Sequence, residues 1–289
     1  MCQWCMKHGA GGKWYLNARN YSQELADETN AKDHLTNVYN NFERVFVKKI
    51  YGQTMQNIGY KLRMPIIGRV VRSIVERIVH NEGPKRKMIM SDGHFGQVLP
   101  VEDVRLILGE LAAEPIILNY CMCRYMMRAE KKATCISFGV LSEVLEKLPR
   151  YIPEGMKWKI DREEAIGKVE EFVDNGYIPS IWFQPVPYIN ALCACEDPQC
   201  MGIRMRKDFG FNVLYKSEYV IQSNPDLCEG CKSCISMCQF NALNYSPSAK
   251  RVAVNQDNCF GCGICRNACP HDALTLVPRE NVASVAGHY

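Results

Sequence analysis

Long apolar runs are missing from this 289-residue chain: uninterrupted stretches such as Pro115–Leu118 last only a few positions. A membrane span needs about 20 such residues, so none is expected. The opening Met1-Cys2-Gln3-Trp4-Cys5 lacks the basic and apolar segments of an export signal, and a cytoplasmic location follows as the expectation. No G-x-G-x-x-G fingerprint occurs. Gly9-Ala10-Gly11-Gly12-Lys13 is followed by Trp14 where a phosphate loop requires Ser or Thr, so no nucleotide cofactor is evident. No Ser-His-Asp arrangement can be traced, and Ser91-Asp92-Gly93-His94-Phe95-Gly96 reads as a turn with a structural histidine. Charge of one sign is also lacking, the net value being only +4. Bases gather solely across 61–90, eight against two acids. Without interleaved aromatics or a base-reading motif, that stretch is expected to face solvent or a protein partner, not nucleic acid.

Cysteine, by contrast, is abundant. Sixteen in a chain without an export signal argue for reduced thiols and metal over disulfides. Eight of them fall as Cys228-x2-Cys231-x2-Cys234-x3-Cys238 and Cys259-x2-Cys262-x2-Cys265-x3-Cys269-Pro270. Each run offers three closely spaced thiolates and a fourth further on, the ligand pattern of paired [4Fe–4S] clusters. Zinc sites favour paired C-x2-C knuckles instead. Three cysteines at intervals of three wrap a loop round one cubane, while the fourth points the other way. Cys228, Cys231, Cys234 and Cys269 are therefore expected on one cluster, and Cys259, Cys262, Cys265 and Cys238 on the other. Gly230, Gly261 and Gly263 are expected to let backbone amides approach the sulfides.

These runs resemble the bacterial-type two-cluster ferredoxin domain over roughly residues 217–278. The resemblance implies a βαββαβ module with pseudo-twofold symmetry, with strands at Tyr219–Ile221, Leu243–Tyr245, Arg251–Val254 and Ala273–Val277. Gln239 departs from the pattern, standing where the first repeat would carry proline. Acids and bases balance at four each within 226–278, which suits a module fixed in place better than one steered through solution by its charge. The longer chain resembles ferredoxin-bearing proteins of anaerobic bacteria, a resemblance that assigns no activity.

The expected class is α+β: a mostly helical region over 1–97, an α/β domain over 98–216, the ferredoxin module over 217–278 and a tail over 279–289. Tyr21–Lys49 reads as a helix. Pro65 opens another, with an apolar stripe from Ile66 to Val79 expected to face the core. In the middle domain, helices are expected at Val101–Leu111, Val140–Leu148 and from an Asp161 cap through Val173. Strands are expected at Ile116–Cys123, Ile178–Phe183 and Tyr188–Cys195.

The remaining eight cysteines form a second set. Two apolar strands each end in C-x-C, at Cys121/Cys123 and Cys193/Cys195, and each is followed by one more cysteine, Cys135 and Cys200. Residues i and i+2 of a strand share a face, so neighbouring strands would aim four sulfurs at one point. That would suffice for an additional iron–sulfur cluster or zinc, with Cys2 and Cys5 as further candidate ligands. Two functions fit: an electron-transfer protein or subunit serving a partner redox enzyme, or a reductase whose middle-domain centre is catalytic and fed by the ferredoxin module.

Overall fold

The computed structural model of the chain describes residues 3–42, 61, 64–71, 73, 96–128, 130–147, 155–209 and 212–289. Runs that are apolar at nearly every position need cover on both faces, and the two clearest become interior strands of one seven-stranded sheet. Its strands are β1 (Gly96–Val98), β2 (Ile116–Tyr120), β3 (Ala133–Phe138), β4 (Lys157–Lys159), β5 (Ile178–Phe183), β6 (Ile189–Cys195) and β7 (Leu214–Tyr215). The order is β4-β2-β3-β6-β5-β1-β7, with β1 and β7 parallel and every other pair antiparallel. The sheet is therefore mixed.

Helices cover both faces. In chain order they are α1 (Gln3–His8), α2 (Gln23–Glu28), α3 (Ala31–Phe42), α4 (Val101–Leu106), α5 (Met122–Arg128), α6 (Val140–Lys147), α7 (Arg162–Asp174) and α8 (Met201–Phe209). The pleat of β3 shows the division. Ile136 and Phe138 enter a core shared with Val104, Leu108, Val169 and Phe172 of α4, its π-helical extension Ile107–Leu111, and α7. Ser137 points the other way and is hydrogen-bonded to Ser142 of α6 at 3.1 Å. On that second face Val144 and Leu145 pack with Leu25 and Leu35 of α2 and α3.

The N-terminal segment shares the first core. Trp14 is fully buried against Phe183, with ring centroids 4.6 Å apart, and its indole N–H donates to Gln97 Oε1 at 2.6 Å. The Tyr15 hydroxyl donates to the buried Asp103 carboxylate at 2.8 Å, and Lys13 Nζ reaches both oxygens of that carboxylate. The single helix expected over Tyr21–Lys49 is instead a 3-10 turn at Ala18–Tyr21 followed by α2 and α3. The break falls at Asn30, whose φ of 50° an α-helix cannot accommodate. Most of the Pro65 helix lies outside the described residues. Ile66, Ile67 and Val70 of its stripe are exposed, contrary to the expected core packing.

After β7 the chain enters the C-terminal module: β8 (Tyr219–Ser223), α9 (Ser233–Met237), β9 (Leu243–Ser246), β10 (Arg251–Val254) and β11 (Leu274–Pro278). β8 pairs antiparallel with β11, and β9 with β10, as two separate ribbons. The second half carries only a 3-10 turn, Ile264–Arg266, where the symmetry implied a second helix. The final residues are part of the module, since Val282 and Val285 enter its core.

Asp161 illustrates how local chemistry fixes an edge of this frame. Its carboxylate accepts the Glu164 N–H at 2.8 Å and so satisfies one free donor at the start of α7. Asp161→Ala is expected to cost about 1 kcal/mol in urea unfolding, and Asp161→Asn to recover most of it. An unchanged midpoint for the alanine variant would show that this cap does not anchor α7.

Candidate metal centres

The eight C-terminal cysteines lie in loops held by left-handed glycines and in the short helical turns that follow, Cys234 in α9 and Cys265 in the 3-10 turn. Gly230 and Gly261 adopt the same φ of 70° in the two halves. A Cβ on Gly230 would stand 2.3 Å from Lys250 O, and one on Gly261 2.1 Å from Tyr219 O. Only glycine lets each loop seat against its neighbouring strand. The close approach is thus to a backbone carbonyl, that of Lys250 just before β10 and that of Tyr219 in β8. Two cavities result. One is lined by Cys228, Cys231, Cys234 and Cys269, and the other by Cys238, Cys259, Cys262 and Cys265.

Backbone amides point at the sulfurs with the same symmetry. Ala242 N–H donates to Cys238 Sγ and Ala273 N–H to Cys269 Sγ, both at 3.3 Å. Val252 N–H donates to Cys228 and Ile221 N–H to Cys259, both at 3.4 Å. Such donors favour thiolate over thiol. Burial opposes them: with the neighbouring thiolates it pushes Cys234 up to about 11 and Cys262 up to about 12, and it raises Cys265 and Cys259 as well. Cys231 is exposed, and the Ser233 N–H holds its thiol below the usual range. A bound cation is what allows crowded, buried thiols to lose their protons.

The 4Fe–4S dicluster domain family matches residues 227–273. The match is consistent with a ferredoxin-type domain there. The match supports an iron–sulfur electron-transfer role for it. No curated protein matches the chain, and no helix among the described residues is long and apolar enough to cross a membrane.

The second cysteine set converges by a route different from the one its spacing suggests. β2 and β6 are not neighbours, because β3 lies between them. Nor do both C-x-C pairs sit on strands: β2 ends at Tyr120, and Cys123 belongs to the first turn of α5. Cys193 and Cys195 do share one face of β6. Cys135 on β3 stands directly across from Cys193, and the Cys193 thiol donates to Cys135 Sγ at 3.4 Å. The neighbouring thiols of Cys123 and Cys135 hold the Cys121 thiol well below the ordinary range. Those of Cys193 and Cys200 do the same for Cys195, with Ser180 Oγ a further neighbour at 3.3 Å. Cys123, Cys135, Cys193 and Cys200 are themselves pushed well up by their sulfur neighbours and by burial. Two matched triads, each a C-x-C plus one later cysteine, therefore meet at Cys135 and Cys193.

Side chains that spacing did not reveal frame this group. Arg124, next to Cys123, pairs with Glu130 at 3.2 Å and with Glu196, next to Cys195, at 2.7 Å. This bridge ties the two cysteine loops together and sets a buried cation beside Cys121. Tyr39 of α3 lies close enough for the charges of Cys193, Cys135 and Cys123 to add to burial in raising its phenol. Of the N-terminal candidates, Cys2 lies outside the described residues. Cys5 is buried, and its thiol donates to Glu218 Oε1 at 3.1 Å.

Among the described residues, no three His, Cys, Asp or Glu side chains converge closely enough for one metal ion. This holds for the C-terminal cysteines too. The raised thiols imply a pH dependence. Groups at about 11 and 12 are protonated at neutral pH in the metal-free protein, and each proton must leave on loading. Uptake of ferrous iron and sulfide by the apoprotein, followed by visible absorbance, should be more complete at alkaline than at mildly acidic pH. Equal uptake at both would contradict this.

Proposed function

We propose that the chain is an iron–sulfur electron-transfer protein, or a subunit of a larger oxidoreductase, that moves electrons to or from a redox partner protein. Two [4Fe–4S] clusters would serve the transfer. Cys228, Cys231, Cys234 and Cys269 would hold one, and Cys259, Cys262, Cys265 and Cys238 the other. The observation that carries this reading is the pair of cavities, each lined by three cysteines of one run and the fourth of the other. Four soft thiolate donors with amide N–H groups aimed at them fit a cubane.

Cys121, Cys123, Cys135, Cys193, Cys195 and Cys200 would hold a third centre. Four of these six sulfurs would suffice for a zinc ion or for a cubane alike, and iron–sulfur is preferred because a two-cluster redox module shares the chain. Their grouping into two joined triads supports the reading. So does the seating of the C-terminal module on the loop between Cys195 and Cys200, where the Asp197 N–H donates to Gln239 Oε1.

Anaerobically purified protein is expected to contain about twelve irons with a third cubane, and about eight with the C-terminal clusters alone. Cys193→Ser combined with Cys195→Ser should remove the extra metal and leave the C-terminal signals intact. Unchanged metal content in that variant would sink the third centre. Stoichiometric zinc in place of the extra iron would make the middle site structural. Protein without iron at the C-terminal cysteines would end the whole proposal.

A further inference from the structure

The two halves of the module differ sharply in what surrounds their cavities. Around the second cavity stand three cations, Arg279 and Lys216 buried and Arg206 partly buried. Arg279, with no exposed surface, donates to the carbonyl oxygens of Ser217 at 2.9 Å, Tyr219 at 2.8 Å and Cys259 at 2.9 Å. Lys216 is also buried, and its ammonium donates to Asp257 O at 2.7 Å. Lys216 and Arg206 stand 5.9 and 5.8 Å from the ring centre of Phe260, which lines that cavity. Arg279 Nη1 and Arg206 Nη1 are buried with no hydrogen-bond partner among the described residues. Arg206 Nη2 donates to Tyr289 O at 3.2 Å, and Glu218 and Asp257 offset part of the Arg279 charge, so what remains unpartnered is one buried nitrogen on each arginine, a donor that further negative charge nearby would satisfy.

Around the first cavity the charges are few and wet. The Glu229 carboxylate, largely exposed, pairs with His271 Nε2 at 3.2 Å. Lys232 lies over Tyr245 instead, and Cys231 faces solvent. Water and salt screen charges in such a setting far more than in the interior.

We propose that Lys216, Arg206 and Arg279 polarise the module, giving the Cys259-Cys262-Cys265-Cys238 centre the higher reduction potential and making the Cys228-Cys231-Cys234-Cys269 centre the solvent-facing port. This rests on the two-cluster reading. Four thiolates outweigh the positive charge of a cubane core, so a loaded site is anionic, and an added electron makes it more so. Fixed buried cations favour that added charge and raise the potential. One electron from a low-potential one-electron donor reduces the outer centre. It would then pass to the inner one as the outer is reoxidised, with no bond broken.

Potentiometric titration of the anaerobic full-length protein with dithionite and mediators, read by electron paramagnetic resonance, tests this. Cys231→Ser identifies the outer signal by perturbing it alone, and the order of reduction is then read for the same two signals in the unmodified protein. The unmarked ferredoxin-type signal should reduce first. Lys216→Met and Arg206→Met should each shift that signal, and not the outer one, to lower potential, whereas Lys216→Arg should leave it in place. Two independent variants guard against one that fails to load iron. If the marked signal reduces first, or if both methionine variants load fully with unshifted potentials, the proposal is overturned. Absence of two cubane signals in the unmodified protein would instead defeat the cluster reading on which it stands.

Discussion

Thiols crowded together out of water resist the ionisation that metal ligation demands, and this conflict organises the chain. Burial and neighbouring sulfur push most of the cysteine groups towards the protonated form. Amide N–H donors and buried cations push the other way, as Arg124 does beside Cys121 and Arg279 beside Cys259. Much of the polar interior serves these two pressures. Buried arginines would be costly in an ordinary core, but they become intelligible where anionic centres are to be held.

The second constraint is mechanical, and it centres on Gln239. Its side chain accepts the Asp197 N–H at 2.6 Å and donates to Gly176 O at 2.6 Å. Lys207 closes the contact by bonding both the Asp197 carboxylate, at 2.8 Å, and the carbonyl of Gln239. Asp197 lies in the loop between Cys195 and Cys200, while Gln239 follows Cys238. The Gln239 side chain therefore joins the residue after a C-terminal cysteine to the loop between two middle ones. Met237 packs near Gly176, Asn267 donates to Asp174, and Arg266 pairs with Glu102 along the same seam. The stacked Phe240 and Phe260 rings, 3.9 Å apart, join the middle-domain core. The module is built into the chain, in keeping with its balanced charge.

What the sequence made legible was whatever depends on local spacing. The two C-terminal runs, the Asp161 cap and the Ile178–Phe183 strand follow from short-range rules of ligand geometry, capping and burial. Gln239 was visible only as a missing proline, because its role is to reach residues more than forty positions away. The middle cysteines were recognisable as two matched groups, yet the intervening β3 was not, since strand order is a long-range property. Cys123 was expected on a strand because the apolar run continues through it, whereas the chain turns into α5 at Met122. Lys216, Arg206 and Arg279 gave no signal in the sequence, because a basic residue is ordinarily a surface residue and only the fold shows these three drawn inwards.

The account stands or falls on where iron sits. Anomalous diffraction from anaerobically grown crystals, recorded on both sides of the iron and zinc absorption edges, locates each metal directly. Iron peaks are predicted in both C-terminal cavities and among the six middle cysteines, with no zinc at any of the three. A C-terminal half without iron, or zinc alone among its cysteines, would contradict the account.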